Sequence, residues 1–241
     1  MIYKSAGKYP SWTGQDIGIL VLDCAYPFVP GNVANARTFP FPVRYAVVEG
    51  ANPQRLILDA DPELITPFVT AARQLEREGV KAITGACGFM ALFQKELQAA
   101  VDIPVFSSSL MQIPFMHALT GRAVGIITAD SRHLKPAHFS ACSIRKDTPV
   151  HIAGMESVKA FTQSVMDDGD IMDSAAVGQG AVRMAKSLCD ANPDIGSILL
   201  ECSDLPPYAA DIAAETGRPV FDFITMIKHV EMAVRPARYG G

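Results

Sequence analysis

The chain has 241 residues, 49% of them hydrophobic and 19% charged, with a formal net charge of -4. Such a length can bury a sizeable core, and such a composition excludes long disordered tails. Lys and Arg are scattered along the sequence, which leaves no positive field for nucleic acid or an anionic membrane and makes a small molecule the expected partner.

The opening segment MIYKSAGKYPSWTGQD is too polar for the apolar core of a signal peptide. No apolar run approaches the roughly 18 residues of a membrane span, so the expected location is the cytoplasm. Five cysteines at irregular spacings, in a chain too long to need staples, are expected to be reduced thiols.

In chain order, IGILVL from Ile17, YAVV from Tyr45, VKAIT from Val80 and PVF from Pro104 read as strands separated by segments of helical period. This is the punctuation of βαβ units in a parallel sheet. The helix before the third strand is predicted to start at Asp61-Pro62-Glu63, an N-cap acid followed by proline. Its apolar residues Leu64, Phe68, Ala72 and Leu75 recur at helical spacing, and Gly79 ends it. The second half repeats the pattern with AVGIIT from Ala123, VHIA from Val150, IGSILL from Ile195 and PVF from Pro219.

Cys87 and Cys202 each stand 17 residues before a Pro-Val-Phe strand, and Gly18 and Gly125 mark equivalent first strands. A duplicated unit is therefore expected, with an approximate two-fold axis relating its copies. The predicted halves are residues 1–120 and 121–241, with the boundary near LTGR and no flexible linker, so that they pack over a shared cleft. The last helical run, Met226 to Val234, could return to the first half. GQG at Gly178 lies in a helical run and reads as close helix packing.

Both cysteines fall where a buried strand ends and a helix is expected to begin. Strand carboxyl ends face the ligand crevice in parallel sheets, and a helix N-terminus favours a thiolate there. Gly88 after the first cysteine allows a tight turn or close backbone approach to a ligand. Ser203 or Asp204 could cap the helix after the second, with Pro206 and Pro207 in its first turn. A lone cysteine more often packs as a small hydrophobe; the doubled setting favours chemistry. Cys142 and Cys189 lack it and read as structural, while Cys24 could line the cleft without reacting.

The motifs GACGFM and LECSDLPPYA, in their duplicated frame, resemble the aspartate/glutamate/hydantoin racemase superfamily over nearly the whole chain. The resemblance implies an α/β fold of two flavodoxin-like halves with parallel sheets related by a pseudo-two-fold axis, and an active site in the cleft between them. It implies that Cys87 and Cys202 flank the substrate carbon as acid and base. One thiolate would remove a proton beside a carboxyl or carbonyl, and the other thiol would return one to the opposite face. No cofactor is implied. The expected activity is a racemase or epimerase acting on an amino acid or derivative.

Gly88-Phe89 and Ser203-Asp204 stand where amino-dicarboxylate racemases commonly place Asn or Thr after a catalytic cysteine. Phe89 could add an apolar wall and Asp204 would repel a nearby carboxylate, so a hydantoin or substituted malonate is as credible a substrate as aspartate or glutamate. By position the resemblance also suggests substrate contacts from Thr128 and from Ser107 or Ser108, each equally suited to capping. Tyr26 and Asn32, in the loop after the first strand, are further candidates.

A decarboxylase or a cis-trans isomerase fits the same frame, and so does a non-catalytic metabolite-binding protein. The five histidines show no metal-binding spacing, no nucleotide-binding glycine motif follows the opening strands, and a homo-oligomer stays open.

Overall fold

Each predicted apolar run forms a strand, because each is bounded by polar or glycine-rich turns and is too short for a helix that buries a face. The computed structural model describes residues 12–238, and most of the segment read for a leader, residues 1–11, lies outside them. The first half carries β1 (Ile17–Leu22), β2 (Val43–Val48), β3 (Ala82–Gly85) and β4 (Val105–Phe106), paired parallel in the order β2-β1-β3-β4. The second carries β5 (Ala123–Thr128), β6 (Val150–Gly154), β7 (Ile195–Leu200) and β8 (Val220–Phe221) in the matching order β6-β5-β7-β8. This is the α/β fold of two parallel sheets expected from the duplication.

The helices are α1 (Ile65–Arg77), α2 (Gln94–Ala100), α3 (Ile113–Thr120), α4 (Pro136–Ala141), the single turn α5 (Lys159–Phe161), α6 (Ser174–Ala191), α7 (Ala209–Thr216) and α8 (Phe223–Val234). Asp61 caps as predicted, accepting from the Glu63 amide, but a tight turn, Pro62–Leu64, comes before α1 proper. Leu64, Phe68, Ala72 and Leu75 are fully buried, and Gly79 ends the helix in the left-handed region at φ 88°.

The two glycines have one physical role. A Cβ on Gly18 would come within 2.9 Å of Leu75 on α1, and one on Gly125 within 3.3 Å of Leu188 on α6 and 3.1 Å of Ile195. In each half the first strand thus gives up a side chain so that the helix before the third strand can lie close to the sheet. Register confirms the equivalence: Gly18 pairs with Ile83 and Gly125 with Ile198, each four residues before its cysteine. On α6, Gly178 lies against the Tyr208 ring and Gly180 against Val158, the close packing expected of GQG.

The C-terminal helix returns to the first half. Phe223, Met226 and Ile227 of α8 form one buried cluster with Ile17, Ile19, Val43, Ala82 and Phe106 of the first sheet. Asp222 and Thr225 cap α8 reciprocally, and Gln112 at the start of α3 donates to the Asp222 carbonyl at 2.9 Å. At the carboxyl ends of the strands the halves are stitched by Ser203 Oγ donating to the Ala86 carbonyl at 2.6 Å and the Val33 amide donating to the Ser203 carbonyl at 3.4 Å. No helix among the described residues is long and apolar enough to cross a membrane.

Candidate active site

Cys87 and Cys202 leave the ends of β3 and β7, and both line one small cavity between the halves, together with Tyr26, Gly88, Phe89, Glu201, Ser203 and Asp204. The centre of a water molecule has about 20 Å³ to occupy there, roughly one water's worth. Both cysteines are buried, at 8% and 6% exposure.

The corners differ from expectation. Cys87 precedes a tight helical turn, Gly88–Phe93, before α2, and Cys202 leads through a turn and Pro206–Tyr208 into α7. Neither Ser203 nor Asp204 caps a helix: Ser203 reaches across to Ala86, and Asp204 turns inward. The predicted helix-terminus stabilisation of thiolate is outweighed. Burial pushes both thiols well above their usual value; Glu201 adds to the rise at Cys87 and Asp204 to that at Cys202, against smaller help from the Phe89 and Asp204 amides. A buried anion loses more hydration than one amide restores.

Asp204 is the hub of the second corner. Its Oδ2 accepts from the Cys202 thiol at 3.4 Å and from the Tyr26 hydroxyl at 3.1 Å, and its Oδ1 from Asn32 Nδ2 at 2.5 Å. Burial raises its carboxyl, and these donors oppose the rise. The thiol is raised from a much higher starting value, so the proton shared by the pair rests on sulfur. A carboxylate accepting three donors is the form this arrangement fits.

Glu201 escaped the sequence reading. Thr128 Oγ1 donates to its Oε2 at 2.7 Å, while Oε1 is buried without a partner among the described residues and lies against Gly88. Burial pushes its carboxyl up to about 7, with the Thr128 bond opposing. The available signal was an acid directly after the largely apolar strand IGSILL, where a charge has no water to face.

Among the residues predicted to touch substrate, Cys87, Gly88, Phe89, Cys202, Ser203, Asp204 and Tyr26 line the cavity. Asn32 stands behind it, in an adjoining space with Cys24, Tyr26 and Phe28. Thr128 sits beneath Glu201. Ser108 is not brought to the cavity: its Oγ accepts from the Leu110 amide as a cap, while Ser107 bonds the Gln94 side chain. The wall formed by Phe89 is backed by the buried ring of His138, edge-on at 5.1 Å.

The cavity's remaining wall comes from a matched pair of turns. Each half places a wide helical turn after its second strand, Gln54–Leu58 and Thr162–Met166, and each sends one apolar side chain inward, Ile57 and Val165. Two residues beyond each turn the backbone is left-handed, at Ala60 and Asp168. Asp168 Oδ1 then accepts from the Ala25 and Tyr26 amides at 2.8 and 3.1 Å, tying the second-half turn to the first-half loop.

Two four-stranded parallel sheets of matching order, with two buried thiols at equivalent strand ends, make a fold of the racemase type. The model of the Asp/Glu/hydantoin racemase family matches residues 47–233, and the chain belongs to that family. It is 35% identical over 226 residues to dimethylsulfoniopropionate lyase of Durusdinium sp. clade D, covering 90% of this chain and 74% of that one. Dimethylsulfoniopropionate lyase 7 of Emiliania huxleyi is 32% identical over 229 residues, covering 90% of this chain and 65% of the relative, so the chain spans under two thirds of that protein. Arylmalonate decarboxylase superposes with a TM-score of 0.60 at 18% identity, covering 92% of this chain and 94% of that one, which establishes a shared fold.

Proposed function

We propose that this chain is a carbon-acid enzyme that eliminates a neutral sulfide from a short sulfonium carboxylate of the dimethylsulfoniopropionate type, with Cys202 as base. The observation that carries the reading is the Cys202–Asp204 contact of 3.4 Å in the wall of the small cavity. The identity to lyases over 90% of the chain supplies the substrate class.

In this reading Cys202 passes its thiol proton to Asp204 Oδ2, and the thiolate takes a proton from the carbon beside the carboxylate. The electron pair of that C–H bond forms the carbon–carbon double bond as the carbon–sulfur bond breaks, and its pair leaves on sulfur. The products are dimethyl sulfide and acrylate; Asp204 releases the remaining proton. Tyr26 and Asn32 hold the Asp204 carboxylate in place. The paired rings of Tyr26 and Phe28, centroids 4.6 Å apart, suit a sulfonium, since a cation is attracted both to aromatic faces and to Asp204. A second carboxylate beside Asp204 would be repelled, which disfavours aspartate and glutamate as substrates.

A second reading, racemisation of an amino acid or derivative, is favoured by the placement of two thiols on one cavity, because elimination requires only one base. One experiment separates the two. The purified chain is supplied with dimethylsulfoniopropionate while dimethyl sulfide is followed by gas chromatography, and with chiral amino acids and hydantoins in deuterium oxide while exchange is followed by NMR. Sulfide release abolished in Cys202→Ala supports elimination; exchange with inversion that needs both cysteines supports racemisation.

A further inference from the structure

Glu201 stands apart from the mechanism above. It is 0% exposed at the end of β7 and lines the same cavity as both cysteines. Its Oε2 is held by Thr128 at 2.7 Å, and its Oε1 is buried with no partner among the described residues. Buried polar atoms are almost always paired, so an orphan in a cavity wall calls for a partner from outside the protein. Gly88 shows how closely the carboxyl is fitted: a Cβ there would overlap the Glu201 carboxyl and lie 2.6 Å from the Glu201 carbonyl oxygen. The corner beside Cys87 has thus given up a side chain to admit this group.

We infer that Glu201 works as a neutral carboxylic acid whose Oε1 donates a hydrogen bond to the carboxylate of the bound substrate, fixing that end beside Cys87. An ionised Glu201 would repel a carboxylate, whereas the neutral acid supplies the donor that the orphan position lacks. A carboxyl kept neutral by apolar surroundings can also hold the extra negative charge that develops on a substrate carboxylate as its α-proton leaves. The titratable groups around it are Cys87 across the cleft, Cys202 and Asp204 further along its own segment, and Cys142 after α4, whose thiol Glu201 also raises. They are acids, and with both thiols and Cys142 protonated the one negative charge among them is on Asp204. This assigns the sulfonium end to the Asp204 side and the carboxylate end to the Glu201 side. The inference rests on the carboxylate substrate proposed above.

The test is calorimetric binding of propionate to the full chain, at pH values from 6 to 8.5, in buffers of different ionisation heat, so that protons taken up on binding are counted. Free Glu201 is neutral below about pH 7 and ionised above it. Propionate should therefore bind with almost no proton uptake at pH 6 and with uptake approaching one proton at pH 8.5. Glu201→Gln, which keeps a donor, should retain propionate affinity within about ten-fold and lose the uptake. Glu201→Leu should lose more than ten-fold in affinity. Thr128→Val, by removing the bond that favours the anion, should move the onset of uptake to higher pH, and it serves as the second probe should either Glu201 variant fail to fold. Absence of propionate binding, absence of uptake, or uptake that persists in Glu201→Gln overturns the inference. Uptake without sulfide release would instead remove the lyase reading and leave this one, and sulfide release without Glu201-linked uptake would do the reverse.

Discussion

Cys87 and Cys202 occupy the same place in two copies of one fold and differ in what stands beside them. Cys87 is followed by a glycine and an apolar ring, and the acid that raises it most, Glu201, comes from the other half. Cys202 is preceded by one buried acid and hydrogen-bonded to a second. The duplication sets the positions of the two sulfurs, while one tetrapeptide, Glu201-Cys202-Ser203-Asp204, sets the charge of the cavity. A symmetric scaffold thereby presents a site with unlike ends.

The largest expected effect comes from the thiols. Cys202→Ala should reduce sulfide release by about 10³-fold or more, within the range of a lost general base, and Cys87→Ala by about ten-fold. Initial rates of dimethyl sulfide formation read this directly, and equal losses at both positions would mean that the corners act symmetrically after all.

Asp204→Asn sharpens the contrast from the side of the proton acceptor. Asp204 must be ionised to receive the thiol proton, and burial raises its pKa, so activity should climb with pH as Asp204 ionises. In the Asn variant that limb should vanish, activity should fall about 10²-fold, and the remainder should follow ionisation of the thiol at higher pH. A pH-rate profile with an unchanged acid limb would assign the proton acceptor elsewhere.

Glu201 makes a thermodynamic prediction. Its pKa rises from 4.5 to about 7 on folding, so its neutral form is favoured by the fold. That contribution is complete below pH 4.5 and is lost as pH rises through 7. The wild type should thus lose about 3 kcal/mol of stability across this window relative to Glu201→Gln. Urea unfolding of both proteins at pH 5 and pH 8 would reveal it, and parallel declines would show that Glu201 does not titrate there.

Gly18→Ala and Gly125→Ala compare the halves away from the chemistry. Each methyl meets the helix packed on its first strand, at 2.9 Å on Leu75 and 3.3 Å on Leu188, with Ile195 of β7 also at 3.1 Å from the latter methyl, and should cost about 1–3 kcal/mol, the former more. Denaturant midpoints would show whether the halves share one packing rule. The smallest effect is expected at Asp168→Ala, which frees the Ala25 and Tyr26 amides. The cavity is too small for a sulfonium carboxylate as it stands, so its walls must part. Loosening this tie should change KM a few-fold with little change in kcat, and a large fall in kcat would give Asp168 a part in the reaction itself.

Much of this was legible in the residues. All eight apolar runs became strands, and the 17-residue spacing placed both cysteines at equivalent strand ends, because strand period, turn residues and helix caps are local properties. The expected helix caps at Ser203 and Asp204 failed for a tertiary reason. The Ala86 carbonyl, Asn32 and Tyr26 come from the other half and compete for the same side chains. Ser108 went the other way, kept by its own Leu110 amide.

The amino-acid order alone determined the duplicated α/β frame, the membership of Cys87 and Cys202 in matching corners, and the equivalence of Gly18 and Gly125 in the two first strands. Only the tertiary structure decided that both thiols are raised rather than lowered, that Asp204 accepts from Cys202, and that the Glu201 carboxyl is raised by burial against Gly88. The reason is physical. Strand and turn preferences are written within a few neighbouring residues, whereas the ionisation of a buried group depends on how much water the whole fold removes and on which distant donors replace it.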